Sequence, residues 1–91
     1  MIRSIRNKGL KRFAATGDPR KLSVQNPARI RQILMALDVA TAPDDMNLPG
    51  LRFHALKGKP RRYAVDASGN WRITFGWDGE HVVDVDLVDY H

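Results

Sequence analysis

Between residues 26 and 39, apolar side chains recur at Ile30, Ile33, Leu34 and Leu37, the i, i+3, i+4, i+7 stripe of a helix that buries one face. Asn26 is placed to cap its N-terminus, Pro27 fits the first turn, and Arg29, Arg31 and Gln32 fall on the opposite face. Upstream, "KGLKRFAATGD" predicts a shorter helix closed by Gly17 in the position after the C-cap. The preceding "MIRSI" alternates apolar and polar residues and predicts a short strand with Ile2 and Ile5 near its ends. The stretch "ATAPDDMNLPG", with two prolines and a glycine, ends the helical pattern.

From Leu51 onward the period becomes two. Strands are predicted at about 51–56, 61–67, 71–77 and 82–88, separated by the turn-forming stretches "KGKP", "ASGN" and "DGE". Alternation puts Trp71, Ile73, Phe75 and Trp77 on one face of the third strand, with Arg72 and Thr74 on the other. In the last strand it sets Val83, Val85 and Leu87 against Asp84 and Asp86, and in the first it places Arg52, His54 and Leu56 together. The expected architecture is α+β, one domain over residues 1–91, with two N-terminal helices packed on one face of a mainly antiparallel sheet.

Composition narrows the class. Ninety-one residues, 43% of them hydrophobic, suffice for one modest core. No apolar run approaches the roughly 18 residues of a membrane span, and "MIRSIRNKGLKRF" lacks the apolar centre of a signal peptide, so a cytoplasmic protein with no membrane partner is expected. The absence of cysteine excludes disulfides, thiolate metal sites and thiol nucleophiles. The net charge of +5 is unevenly spread: residues 1–37 hold nine Lys and Arg against Asp18, whereas residues 73–91 hold five acids and no Lys or Arg. Such polarity suits a polyanion such as nucleic acid, although long basic side chains also simply solvate helices.

Candidate chemistry concentrates in "LRFHALKGKPRR", where His54 is accompanied by Arg52, Lys57, Lys59, Arg61 and Arg62 within eleven positions. A lone histidine in a strand is more often structural than catalytic, but its cationic neighbours offer an anion a site. If Arg72 shares the solvent face with His54, a guanidinium holds a phosphate while an imidazole, with an unperturbed pKa of about 6.5, moves protons. That set suits cleavage of RNA by its own 2′-hydroxyl, without a metal or cofactor. The last residues, Asp89, Tyr90 and His91, add a carboxylate, a phenol able to stack on a base, and a second imidazole. Asp84, Asp86 and Asp89 raise the alternative of a divalent-metal cluster, but these acids equally balance the basic strands. Trp71 and Trp77 read as sheet-packing residues rather than base platforms.

The stretches "IRNKGLKRFAATGD", "DDMNLPGLRFHALKG", "GNWRITF" and "VDLVDYH" together resemble the HigB toxins of bacterial type II toxin–antitoxin systems, within the RelE/ParE superfamily. The resemblance covers nearly the whole chain. It implies a RelE-like fold and a ribosome-dependent mRNA endonuclease that cuts message in the ribosomal A site and is neutralised by a helix-turn-helix, HigA-like antitoxin. Carried over by motif, functional positions fall on His54 and Lys57 of "HALKG", on Asn70 and Arg72 of "GNWR", and on Asp89, Tyr90 and His91. Lys8, Lys11 and Arg12 are either solvated helix surface or contacts to ribosomal RNA. Ala55 stands where many relatives have proline, and the loop "KGKPRRYA" is more basic than usual, so codon preference is not inherited. The alternative is a noncatalytic toxin or RNA-binding module of the same fold, resembling the gyrase-directed ParE proteins, which would not need this set of residues.

Overall fold

The structure is a computed structural model that describes residues 1–89. Helix α1 spans Lys8–Thr16 and α2 spans Pro27–Val39, followed by a short 3₁₀ turn at Pro43–Met46. Four strands follow, β1 (His54–Ala55), β2 (Arg62–Ser68), β3 (Trp71–Trp77) and β4 (Val82–Asp89), in an antiparallel sheet of order β1-β2-β3-β4. The predicted N-terminal strand is reduced to two parallel bridges onto β4, Ile2 to Val82 and Ile5 to Val85.

Local chemistry explains where the helices begin and end. The Asn7 side chain accepts a hydrogen bond from the Leu10 amide at 2.9 Å, closing the start of α1. Gly17 ends it in the left-handed region at φ 76°, donating its amide to the Phe13 carbonyl. Asn26 caps α2 by accepting from the Arg29 amide at 3.2 Å. The helices bury Leu10, Phe13, Ile30, Ile33, Leu34 and Leu37 against Val65, Ile73, Phe75, Val82, Val85 and Leu87 of the sheet. Each such side chain stabilises the fold by roughly 1.5–3 kcal/mol relative to leaving it exposed. Because the core consumes one face of the sheet, the polar side chains of the strands are left to the opposite face and the edges.

Three departures from simple alternation decide what that opposite face carries. In β2, Asp66 pairs with Arg72 and Ser68 with Trp71, so Ala67 is an extra residue bulging from the ladder. In β4, Thr74 pairs with Asp86 and Gly76 with Val83, which inserts one residue near Asp84, itself at φ 52°. This bulge corrects the expected facing of β4: Val82 and Val85 are buried, as is Leu87, whereas Val83 is half-exposed and does not share their alternation. Its three-residue step from Val82 to Val85 matches the step from Ile2 to Ile5 in the bridged N-terminal segment. Finally, the strand expected over 51–56 is paired only at His54 and Ala55, because Arg52 takes a left-handed φ of 51°. Arg52 therefore does not alternate in register with His54; it lies in the turn just before the strand.

Candidate active site

The helix-free face can be read from the strand register. One row across the sheet runs His54, Ala64, Thr74 and Asp86; a neighbouring row runs Asp66, Arg72 and Val88; a third runs Arg62, Gly76 and Val83. His54 and Arg72 thus stand on the same face, two strands and two residues apart, with Cα atoms separated by about 12 Å from ordinary strand dimensions. A histidine and an arginine reaching inward from those positions can flank one phosphodiester.

A strand of two residues is a slight support for His54, and the aromatic residues supply the rest. Phe53 stacks on Tyr63 with ring centroids 5.7 Å apart, and Tyr63 stacks on Phe75 at 5.6 Å. This ladder continues from the residue beside His54 into the fully buried Phe75. Hydrogen bonding sets the imidazole: its Nδ1 lies 2.9 Å from the Arg52 carbonyl oxygen. A carbonyl only accepts, so Nδ1 carries the proton and, in the neutral ring, Nε2 presents the basic lone pair.

Asp66 organises the neighbouring cations. Its carboxylate lies 3.3 Å from Nε of Arg72 and 3.9 Å from Nε of Arg52. Its amide also donates to the Leu51 carbonyl at 2.7 Å, tying the turn before His54 to β2. Asp66 is not among the candidate residues that the sequence singles out. Its signal was a charged residue in the polar phase of the otherwise apolar "YAVDA", but pairing it with Arg72 requires the Ala67 bulge.

The remaining predicted residues divide by location. Arg62 lies on the His54 face but is occupied as a strap: its Nη2 donates to the Thr74 hydroxyl at 2.9 Å and to the Asp84 carbonyl at 2.8 Å. Burial, and then the nearby Arg6, push its pKa below the usual guanidinium value. Lys57 and Lys59 occupy the exposed loop between β1 and β2, and Arg61 is exposed at its end. Asn70 is exposed in the turn between β2 and β3, beside a hollow of about 300 Å³ lined also by Ser23, Gln25, Trp71 and Asp89. Asp89 pairs with Trp71 and follows the alternation of Leu87, not that of Arg72. Tyr90 and His91 lie outside the described residues. Lys8, Lys11 and Arg12 belong to α1 on the helix-covered side and do not join the His54 group; Arg12 pairs with Asp18 at 3.3 Å.

Among the described residues, no group of three histidines or acids is disposed to hold a metal ion. Asp84 instead meets the Ser4 hydroxyl and Arg6, while Asp86 accepts from the Leu87 amide. No described helix is long and apolar enough to cross a membrane.

Comparison with known proteins places the whole chain in a family. The chain is 34% identical to the Endoribonuclease HigB of Proteus vulgaris over 92 residues, spanning all of both proteins. Residues 3–91 match the family model of the RelE-like toxin HigB of type II toxin–antitoxin systems. A match of that extent, on a fold of two helices against a four-stranded antiparallel sheet, leaves one family: the chain belongs to the HigB-like toxins of type II toxin–antitoxin systems.

Proposed function

We propose that this toxin is an endoribonuclease that cleaves mRNA in the A site of the ribosome, without a metal or cofactor, and so arrests translation and growth. The observation that carries the reading is the shared face of His54 and Arg72, with the His54 ring held so that Nε2 faces away from its carbonyl partner. Membership of the family supports it, as does the name of the Proteus vulgaris relative, an endoribonuclease. In this reaction the 2′-hydroxyl attacks the adjacent phosphorus, Nε2 of His54 removes its proton, and the bond from phosphorus to the 5′-oxygen breaks. Arg72 neutralises the charge that gathers on the equatorial oxygens. Arg52, Lys57, Lys59 and Arg61 hold the flanking backbone, and Asn70 contacts the message at the turn between β2 and β3. Tyr90 and His91 complete the acid–base set, with one of them protonating the leaving oxygen; Asp89, which follows the alternation of Leu87 rather than that of Arg72, stays outside it.

The face is open and offers few groups able to read bases, so the ribosome supplies much of the substrate's orientation. Lys8, Lys11 and Arg12 provide a second, basic surface for ribosomal RNA. The partner that restrains the toxin is a helix-turn-helix antitoxin, and the setting is the cytoplasm, where ribosomes are. Purified protein, incubated in chelator with either programmed ribosomes or the same message free in solution, provides the test. Cuts mapped to the decoding site, with a cyclic phosphate on the upstream fragment and free RNA left intact, are expected. Intact message on ribosomes, alongside growth arrest in cells, would point to a noncatalytic toxin directed at another target.

A further inference from the structure

A carboxylate on a surface that binds phosphate is a cost unless it does something else, because it repels the ligand. Asp66 is such a group. It stands on the His54 face, next to the row that His54 begins, and its side chain is 29% exposed. Its cross-strand partner Arg72 is similarly sheltered at 27%, whereas Arg52, on its other side, is 83% exposed. Both contacts engage Nε, the guanidinium nitrogen nearest the aliphatic stem. A carboxylate at that nitrogen fixes the plane of the group and the direction of its terminal nitrogens. The same residue's amide holds the Leu51 carbonyl, immediately before the turn whose next carbonyl orients His54.

We infer that Asp66 is a positioning residue of this ribonuclease, its carboxylate aiming Arg72, and secondarily Arg52, at the phosphate beside His54. The inference rests on the proposed RNA-cleaving function. It differs in sign from a purely electrostatic role: removing an unwanted negative charge from an RNA-facing surface tightens binding and leaves turnover unchanged or faster, whereas removing a positioning group slows the chemical step.

Single-turnover cleavage on programmed ribosomes, at saturating and limiting toxin, with the wild type, Asp66→Asn, Asp66→Glu, Arg72→Ala and the Asp66→Asn/Arg72→Ala pair, decides it. Asp66→Asn is expected to lower the saturated rate roughly 10- to 100-fold with little change in half-saturation, and Asp66→Glu to recover part of that loss. In the Arg72→Ala background the same Asp66→Asn change is expected to cost less than about 2-fold, because the group it acts through is gone. A rate for Asp66→Asn equal to or above wild type, or an equal loss with and without Arg72, overturns the inference. Should Asp66→Asn fail to fold, as judged by its thermal melt, Asp66→Glu decides: it keeps the charge but displaces it, and an unchanged saturated rate overturns the inference. A wild type that does not cleave overturns the proposed function, and this inference with it; a cleaving wild type with an indifferent Asp66 overturns the inference alone.

Discussion

The Nδ1 atom of His54 lies 2.9 Å from the carbonyl oxygen of Arg52, a residue held in the left-handed region at φ 51°. The turn thereby aims a carbonyl at the ring that follows two residues later, and the bond leaves Nε2 as the basic nitrogen. Replacing His54 with alanine removes that base while deleting no buried apolar group. Cleavage should fall by about 10²- to 10⁴-fold, the usual worth of general acid–base catalysis, with the thermal melt nearly unchanged. Rates on programmed ribosomes, with circular dichroism as the fold control, check it; retained cleavage would remove His54 from the chemistry.

The stack of Phe53 on Tyr63 holds the short strand that carries His54. Phe53→Ala should cost stability of about 2 kcal/mol, combining lost apolar burial with a ring–ring term of about 0.5–1.5 kcal/mol. It should also slow cleavage at temperatures well below the melt, because His54 loses its lateral support. Fluorescence melts beside cleavage rates distinguish these effects, and a destabilised but fully active variant would show that the hairpin pairing alone positions the histidine.

Gly9 marks a close approach between α1 and the loop before α2. A Cβ added there would run into the backbone carbonyl of Lys21, which a side-chain rotation cannot relieve. Gly9→Ala, normally favourable inside a helix, is therefore expected to destabilise by about 1–3 kcal/mol, measured by chemical denaturation. A stabilised variant would mean that the Lys21 segment shifts freely.

The segment after α1 also sets an acid limit. Asp18 receives side-chain hydrogen bonds from Arg20 and a backbone bond from the same residue, with a further bond from Arg12, and its carboxyl is held far below its ordinary value of 3.8. A carboxylate whose folded pKa is lowered stabilises the fold above its unfolded value, and that contribution is lost as pH falls below it. The melting temperature should therefore begin to drop below about pH 5 and keep falling, most steeply below 3.8, as the pH is lowered towards about 2, and Asp18→Asn should be less stable near neutrality with a shallower acid drop. Because the group is exposed, salt should narrow the difference. Parallel melting curves for the two proteins across that range would contradict the assignment.

Helix α2 was fully legible because its cap, its first-turn proline and its apolar stripe all speak to neighbours within four residues. The common face of His54 and Arg72 stood only as a condition in the sequence: each follows the polar phase of its own strand, but the phase alone does not say how the strands pair. What escaped the sequence depended on single-residue insertions. An unbulged turn through Gly69 and Asn70 would have set Ala67 opposite Arg72; the bulge puts Asp66 there instead. Likewise the left-handed residues Asp84 and Arg52 break alternation without a glycine to announce it, which is why Val83 and Arg52 were assigned to the wrong company. Arg62, counted among the phosphate-binding cations, is drawn down by the carbonyl that the Asp84 bulge exposes, a partner 22 residues away.

The central claim is that the 2′-hydroxyl of the message is the nucleophile, activated on the His54 face. The most direct test is a programmed ribosome whose message carries a single 2′-deoxy nucleotide immediately upstream of the mapped cut. Cleavage at that bond should disappear, with no fragment bearing a cyclic phosphate, while an otherwise identical all-ribose message is cut. Cleavage of the deoxy-substituted bond at the all-ribose rate would mean that water or another nucleophile does the work, and would contradict the account.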